Sequence, residues 1–153
     1  MPDLRDRIKS LRRVRAGDLV AHPGNFRRHP ESQRSALSAV LERVGYAAAL
    51  VGRELPDGRV GIVDGHLRAT LDPDQKVPVL IVDIDEAEAE FLLATLDPLA
   101  AMAQADQQAL RDLVSHFGDE EQAIIEAIGT LEENAPTGEP PKARACCRGD
   151  GDG

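Results

Sequence analysis

The 153-residue chain is 42% hydrophobic and 29% charged, with a formal net charge of −9. That length suits about one domain with its own core, and the composition excludes a fibre, a coil or a membrane-spanning protein, since no apolar run approaches the roughly 20 residues a span needs. The N-terminal MPDLRDRIKSLRRVR is charged throughout and has no apolar leader core, so a cytoplasmic location is expected by default.

In chain order, residues 11–19 (LRRVRAGDL) read as a strand entering a turn, and residues 22–30 (HPGNFRRHP) read as a loop because proline, glycine and asparagine punctuate them. His22 and His29 are expected to be polar loop residues. Ser32 or Ser35 can cap a helix in which Leu37, Val40, Leu41 and Val44 fall at i, i+3, i+4 and i+7, with Gly45 placed to end it. Residues 46–55 and 59–63 are apolar-rich and flank Pro56-Asp57-Gly58, which predicts a β-hairpin. A helix beginning near Gly65 must be brief, because Asp72 and Pro73 follow closely. Residues 77–84 (VPVLIVDI) predict a buried strand, with Pro78 suited to a first-residue or edge position.

Beyond Asp85 the pattern turns helical. Asp85, Glu86 and Glu88 occupy a first turn, where the helix dipole favours them, and Ala89, Leu92, Leu93 and Leu96 share one face. A second helix follows Asp106, with Leu110, Leu113, Val114 and Phe117 at helical spacing, and a third is predicted over residues 120–131. The Leu and Val stripes read as core. From about Glu132 the composition predicts a disordered tail, in which the adjacent Cys146 and Cys147 exclude a disulfide framework and make no metal site by themselves.

Charge is unevenly spread. Residues 1–34 hold nine Lys or Arg against four Asp or Glu, whereas residues 83–133 hold fourteen acids against the single base Arg111. Contact with a polyanion therefore belongs to the N-terminal part, where Arg5, Arg7, Lys9, Arg12, Arg13 and Arg15 could touch DNA phosphates. The alternative is that these cations pair with the acidic helices of the same or a neighbouring subunit.

The stretch GRVGIVDGHLRA carries the most chemistry. It places Asp64, Gly65, His66 and Arg68 where a strand gives way to a helix, whose first amides lack intrahelical acceptors. A glycine there permits close backbone approach, and an arginine one turn in offers a forked donor for phosphate oxygens. Plainer readings stand beside this one. Asp64 can cap the short helix with Gly65 as a turn glycine, Arg68 can pair with the acidic helices, and His66 can be a hydrogen-bonding surface residue.

The element order, with these motifs, resembles the ParB N-terminal domain of the ParB/sulfiredoxin fold, including stand-alone members of phage or plasmid type. The likeness rests on Asn25-Phe26-Arg27 as an Asn-x-Arg loop, Val44-Gly45-Tyr46 at a helix end, the box from Ile62 to Ala69, the Val-Pro-Val strand and the acidic helix after it. It covers about residues 11–97 and implies an α+β domain with a small mixed sheet. A basic segment over residues 1–10, a helical extension over 98–131 and the tail over 132–153 complete the organisation. What the resemblance implies is a site for a nucleoside triphosphate of CTP type, which Mg2+ can accompany. Asn25, Arg27, Gly65, His66 and Arg68 would bind it, with Arg28 beside Arg27 to close the other side. It also allows a homodimer, and a role in DNA partitioning or DNA-associated regulation.

Departures from the family shape the alternatives. Sulfiredoxins resemble the box but carry a cysteine directly after the glycine, where this chain has His66, so that reductase activity is rejected. Partition proteins usually have a doubly arginine-rich box, whereas Leu67 stands at the first arginine's place. The stretch after Asp97 is too short for both a DNA-reading and a dimerisation domain, so DNA contact is expected to be weak or to run through a partner protein. Free-serine kinases of this fold use an Asp-Gly-His-x-Arg string that Asp64 to Arg68 matches; Asp64 and His66 are the catalytic candidates on that reading, with Glu31 as the nearby upstream carboxylate. A nuclease or nucleotide triphosphatase would need more carboxylates, for which Asp83 and Asp85 are the candidates.

Overall fold

The structure, a computed structural model, describes residues 3–133, the side chains of residues 130–133 excepted. Its strands are β1 (Ile8–Arg15), β2 (Leu19–Val20), β3 (Leu50–Glu54), β4 (Val60–Asp64) and β5 (Lys76–Val82), and its α-helices are α1 (Glu31–Val44), α2 (His66–Ala69), α3 (Glu86–Ala101), α4 (Gln107–Val114) and α5 (Asp119–Glu133). The strands form one five-stranded mixed sheet in the order β1-β5-β3-β4-β2. The class is α+β, as the sequence indicates.

The hairpin forms where the turn residues place it. β3 and β4 pair antiparallel, Gly58 takes φ +83° in the turn, and Leu55 N–H donates to Arg59 O at 2.8 Å. β5 then enters between β1, antiparallel, and β3, parallel. Alternation puts Val60 and Ile62 on one face with Val77, Val79 and Ile81, and these pack with Leu50, Ala16 and Ala69 into the main core. On the opposite face, Val63 is buried where α3 meets β4, along with Ala89 and Leu93 of that helix.

Several expectations are corrected. The first strand starts at Ile8, because β1 runs beside β5 as far as Val82, and it stops at Arg15. A 3-10 turn over Ala16–Asp18 follows, held by Ala16 N–H to Gln75 O at 2.9 Å and Gly17 N–H to Pro73 O at 2.8 Å. Neither serine caps α1: Pro30 is its N-cap residue and no side chain caps it. β3 begins at Leu50 rather than at residue 46. β5 is an internal strand, not an edge, and it tolerates Pro78 because the ladder to β3 begins only at Val79.

The helix stripes divide. α3 is capped by a reciprocal box in which Glu88 N–H donates to Asp85 at 2.8 Å and Asp85 N–H to Glu88 at 3.0 Å. Its stripe is buried at Ala89 and Leu93, yet Leu96 is exposed, and the helix continues through Pro98 to Ala101, so the boundary set at 97 falls inside it. Leu110, Leu113 and Phe117 of the α4 stripe are exposed rather than core. α5 packs against α1, where Arg43 pairs with Glu121, so the extension returns to the domain. The tail after Glu133 and both cysteines lie outside the described residues.

Most of the N-terminal cations are engaged within the chain. Arg7 makes a two-pronged contact with Glu88 of α3 at 2.9 and 2.8 Å, Arg12 and Lys9 pair with Glu54 at 2.6 and 3.4 Å, and Arg15 pairs with Asp18 and Asp74. Among the described residues no ion pair involves Arg5 or Arg13.

Candidate functional site

A cleft of about 170 Å³ opens between the 22–30 loop, the junction of β4 with α2, and α3. Asn25, Arg27, Asp64, Gly65, His66 and Arg68 all line it, so the loop residues and the strand–helix box singled out from the sequence meet at one place. Asn25, Arg27 and His29 alternate along the extended loop and face the cleft, whereas Arg28 is exposed and does not line it.

Gly65 is demanded by the fold itself. Its φ of +94° is a left-handed conformation that disfavours side chains, and a Cβ there would meet Leu50 Cγ at 2.7 Å. Gly65 is the N-cap residue of α2 and no side chain caps that helix, so the alternative of an Asp64 cap is not realised. Asp64 instead stands 3.6 Å from Arg68, an i,i+4 pair. The Arg68 guanidinium also donates to Ala48 O at 3.1 Å and Ala49 O at 3.4 Å. Those bonds hold the chain as it enters β3 and keep Arg68 mostly buried beside the cleft rather than paired with the acidic helices.

Histidine placement departs most from expectation. His22 and His66 are the two buried polar side chains among the described residues, so His22 is the loop residue expected but a buried one. His66 Nε2 accepts from the His22 amide at 3.2 Å, and His22 Nδ1 accepts from the Gly24 amide at 3.0 Å. His22 Nε2 lies 3.0 Å from Glu86 Oε1, short of hydrogen-bond alignment, and Glu86 also pairs with Arg53. Burial pushes the His66 ring below its ordinary pKa, partly opposed by Asp64 and reinforced by His22, His29 and Arg27.

The cleft has residues that the sequence reading did not name as part of it. Leu92, Leu93, Leu96 and Asp97 of α3 form one wall, and Asp97 pairs with Arg27 across the opening. The Arg27 guanidinium also sits 5.4 Å from the Phe26 ring centroid. Gln33 lines the floor and bonds His29 at 2.9 Å. The helical stripe had marked the three leucines as core, but nothing in one sequence shows that Asp97 faces Arg27. Glu31, Asp83 and Asp85 do not line the cleft; Glu31 is exposed near Arg34, Asp85 caps α3, and the Asp83 carbonyl accepts from Arg7.

The α+β fold has counterparts among solved structures. Among solved structures the chain is similar to the C-terminally truncated chromosome-partitioning protein ParB from Caulobacter crescentus complexed with CTP-gamma-S, at 22% identity and a TM-score of 0.54, over 70% of this chain and 61% of that one. A second structure of that ParB, complexed to the centromeric parS site, matches at 22% identity and a TM-score of 0.47, over 77% of this chain and 64% of that one. The chain thus spans less than two thirds of the length of either neighbour, and the likeness shows the fold. No family model and no curated protein matches it. Among the described residues no helix is long and apolar enough to cross a membrane.

Proposed function

We propose that the cleft binds the phosphate groups of a nucleoside triphosphate of CTP type, and that the chain is a ParB-like nucleotide-binding module in DNA partitioning or DNA-associated regulation. The observation that carries this reading is the convergence of Asn25 and Arg27 from one loop with Gly65, His66 and Arg68 from a distant strand–helix junction. The donor set suits phosphate: two guanidinium forks, one amide, and the opening amides of α2. The ParB to which the chain is similar was itself complexed with CTP-gamma-S.

Two details sharpen the proposal. Arg27 is paired with Asp97, so an incoming phosphate must take the place of that carboxylate. The cavity, about 170 Å³, is below the roughly 300–1,000 Å³ of pockets that enclose a whole drug-sized ligand, so the sugar and base lie outside it. DNA contact on this reading is weak or passes through a partner protein, because most N-terminal cations already have carboxylate partners.

Calorimetry with CTP, ATP, GTP and UTP, with and without Mg2+, tests the reading. CTP is expected to bind, and Arg27→Ala to weaken it about ten- to hundredfold, the equivalent of about 1.5–3 kcal/mol for a charge-assisted contact. No heat from any of the four nucleotides contradicts it.

A further inference from the structure

The loop that carries Asn25 and Arg27 is fastened by a chain of hydrogen bonds, three of them to side-chain acceptors, that begins on α2. His66 Nε2 takes the His22 amide at 3.2 Å, His22 Nδ1 takes the Gly24 amide at 3.0 Å, and His22 O takes the Asn25 amide at 3.0 Å. Asn25 Oδ1 then takes the Arg27 amide at 3.3 Å. Pro23 lies within this segment and Pro30 follows it, so it has few regular backbone partners, and the amides of His22, Gly24 and Arg27 are met by side chains instead. Both imidazoles are buried, and each uses one ring nitrogen as an acceptor.

We propose that His66 is a positioning residue for the cleft: its neutral ring pegs the His22 amide and, through His22, sets the loop that presents Asn25 and Arg27. The role needs an acceptor at Nε2 and therefore a proton on Nδ1, the reverse of the tautomer that free histidine prefers. His22 needs the opposite arrangement, with its proton on Nε2 toward Glu86. A doubly protonated His66 has no acceptor left, so the peg is lost when the ring charges. The groups that face it are Asp64 at the end of β4 and His22, Arg27 and His29 from the loop, with Glu86 and Asp97 of α3 reaching it through His22 and Arg27. This role leaves Nε2 unavailable as a general base, which turns His66 from a candidate for chemistry into a support for the phosphate donors.

The proposal deepens the phosphate-cleft reading, but its main tests need no ligand. Nitrogen-15 NMR of the wild-type imidazoles is expected to show His66 as the Nδ1–H tautomer and His22 as the Nε2–H tautomer; His66 as Nε2–H overturns the proposal. In native-state hydrogen exchange, His66→Leu is expected to speed exchange of the His22 amide about tenfold or more, while His66→Gln, which keeps an acceptor, restores protection. Lowering the pH below the His66 transition is expected to unprotect the same amide in the wild type and not in His66→Gln. Unchanged His22 exchange in a folded His66→Leu protein overturns the proposal, and the tautomer measurement decides it if that variant does not fold. If nucleotide binding is absent while these results hold, the positioning role stands and only the ligand assignment fails.

Discussion

Gly65→Ala separates backbone strain from packing at the centre of the cleft. At φ +94° an alanine incurs about 1–2 kcal/mol for the left-handed conformation. Its Cβ would also lie 2.7 Å from Leu50 Cγ, and Leu50 is fully buried, so relief requires moving a packed side chain at about 1–3 kcal/mol. Alanine stiffens the unfolded chain and returns about 0.4–1 kcal/mol, which leaves a net loss of about 1–4.5 kcal/mol. Gly58 is the control: it has φ +83° but nothing within 4 Å of an added Cβ, so Gly58→Ala should lose only about 0–1.5 kcal/mol by the same backbone terms. Urea unfolding followed by circular dichroism, with the slopes compared to confirm two-state behaviour, reads the difference. Equal losses for the two variants would refute the claim that Gly65 is required by its contact with Leu50.

Other expectations follow from the ion pairs and titrating groups. Asp97→Asn removes the charged competitor for Arg27 and should tighten CTP binding several-fold in calorimetry; unchanged or weaker binding counts against that competition. The Arg7 guanidinium, with help from the Asp85 amide, holds the Glu88 carboxyl at about 2 against an ordinary 4.5. The folded value is depressed, so the associated stability is present above about pH 4.5 and is lost as pH falls toward 2; Glu88→Gln should flatten the unfolding profile across that window. His66 is also depressed, from 6.5 and mainly by burial, so its contribution is complete above that value and is lost as pH falls through the folded one. His66→Gln should remove that portion of the pH dependence in thermal unfolding. Deleting residues 1–10 removes the Arg7–Glu88 contact and the start of β1, and should lower thermal stability while leaving low-salt DNA retention unchanged; loss of DNA retention with intact stability would support the opposite role.

The hairpin and the short helix were legible because each depends on neighbours in sequence: Pro56-Asp57-Gly58 makes the turn, and Asp72-Pro73 follows the box closely; α3 was legible as a helix, but Asp85 is its N-cap residue, in a mutual cap with Glu88, rather than part of its first turn. The grouping of Asn25, Arg27, Gly65 and Arg68 was legible only through the family resemblance, since no local pattern joins the loop to the β4–α2 junction. What escaped was long-range and polar. His22 is a loop residue whose burial shows only once His66 is seen to accept its amide, and Asp97 looks like one more acid on a helix until it meets Arg27. Periodicity also overstated burial on α4, where Leu110 and Leu113 are exposed, and it carried the helix to Phe117, which lies beyond its end at Val114 and is exposed too. Spacing shows that a helix has an apolar face, but not what lies against it.

Whether a triphosphate enters this particular cleft is the central question. Titrating CTP into nitrogen-15-labelled protein and following the backbone and guanidinium resonances answers that directly. Perturbations concentrated at Asn25, Arg27 and the segment from Gly65 to Arg68, with a change at Asp97 as Arg27 leaves it, are the predicted result. Saturable shifts confined to the Ile8–Arg15 strand, or none at millimolar CTP with and without Mg2+, would contradict the central claim.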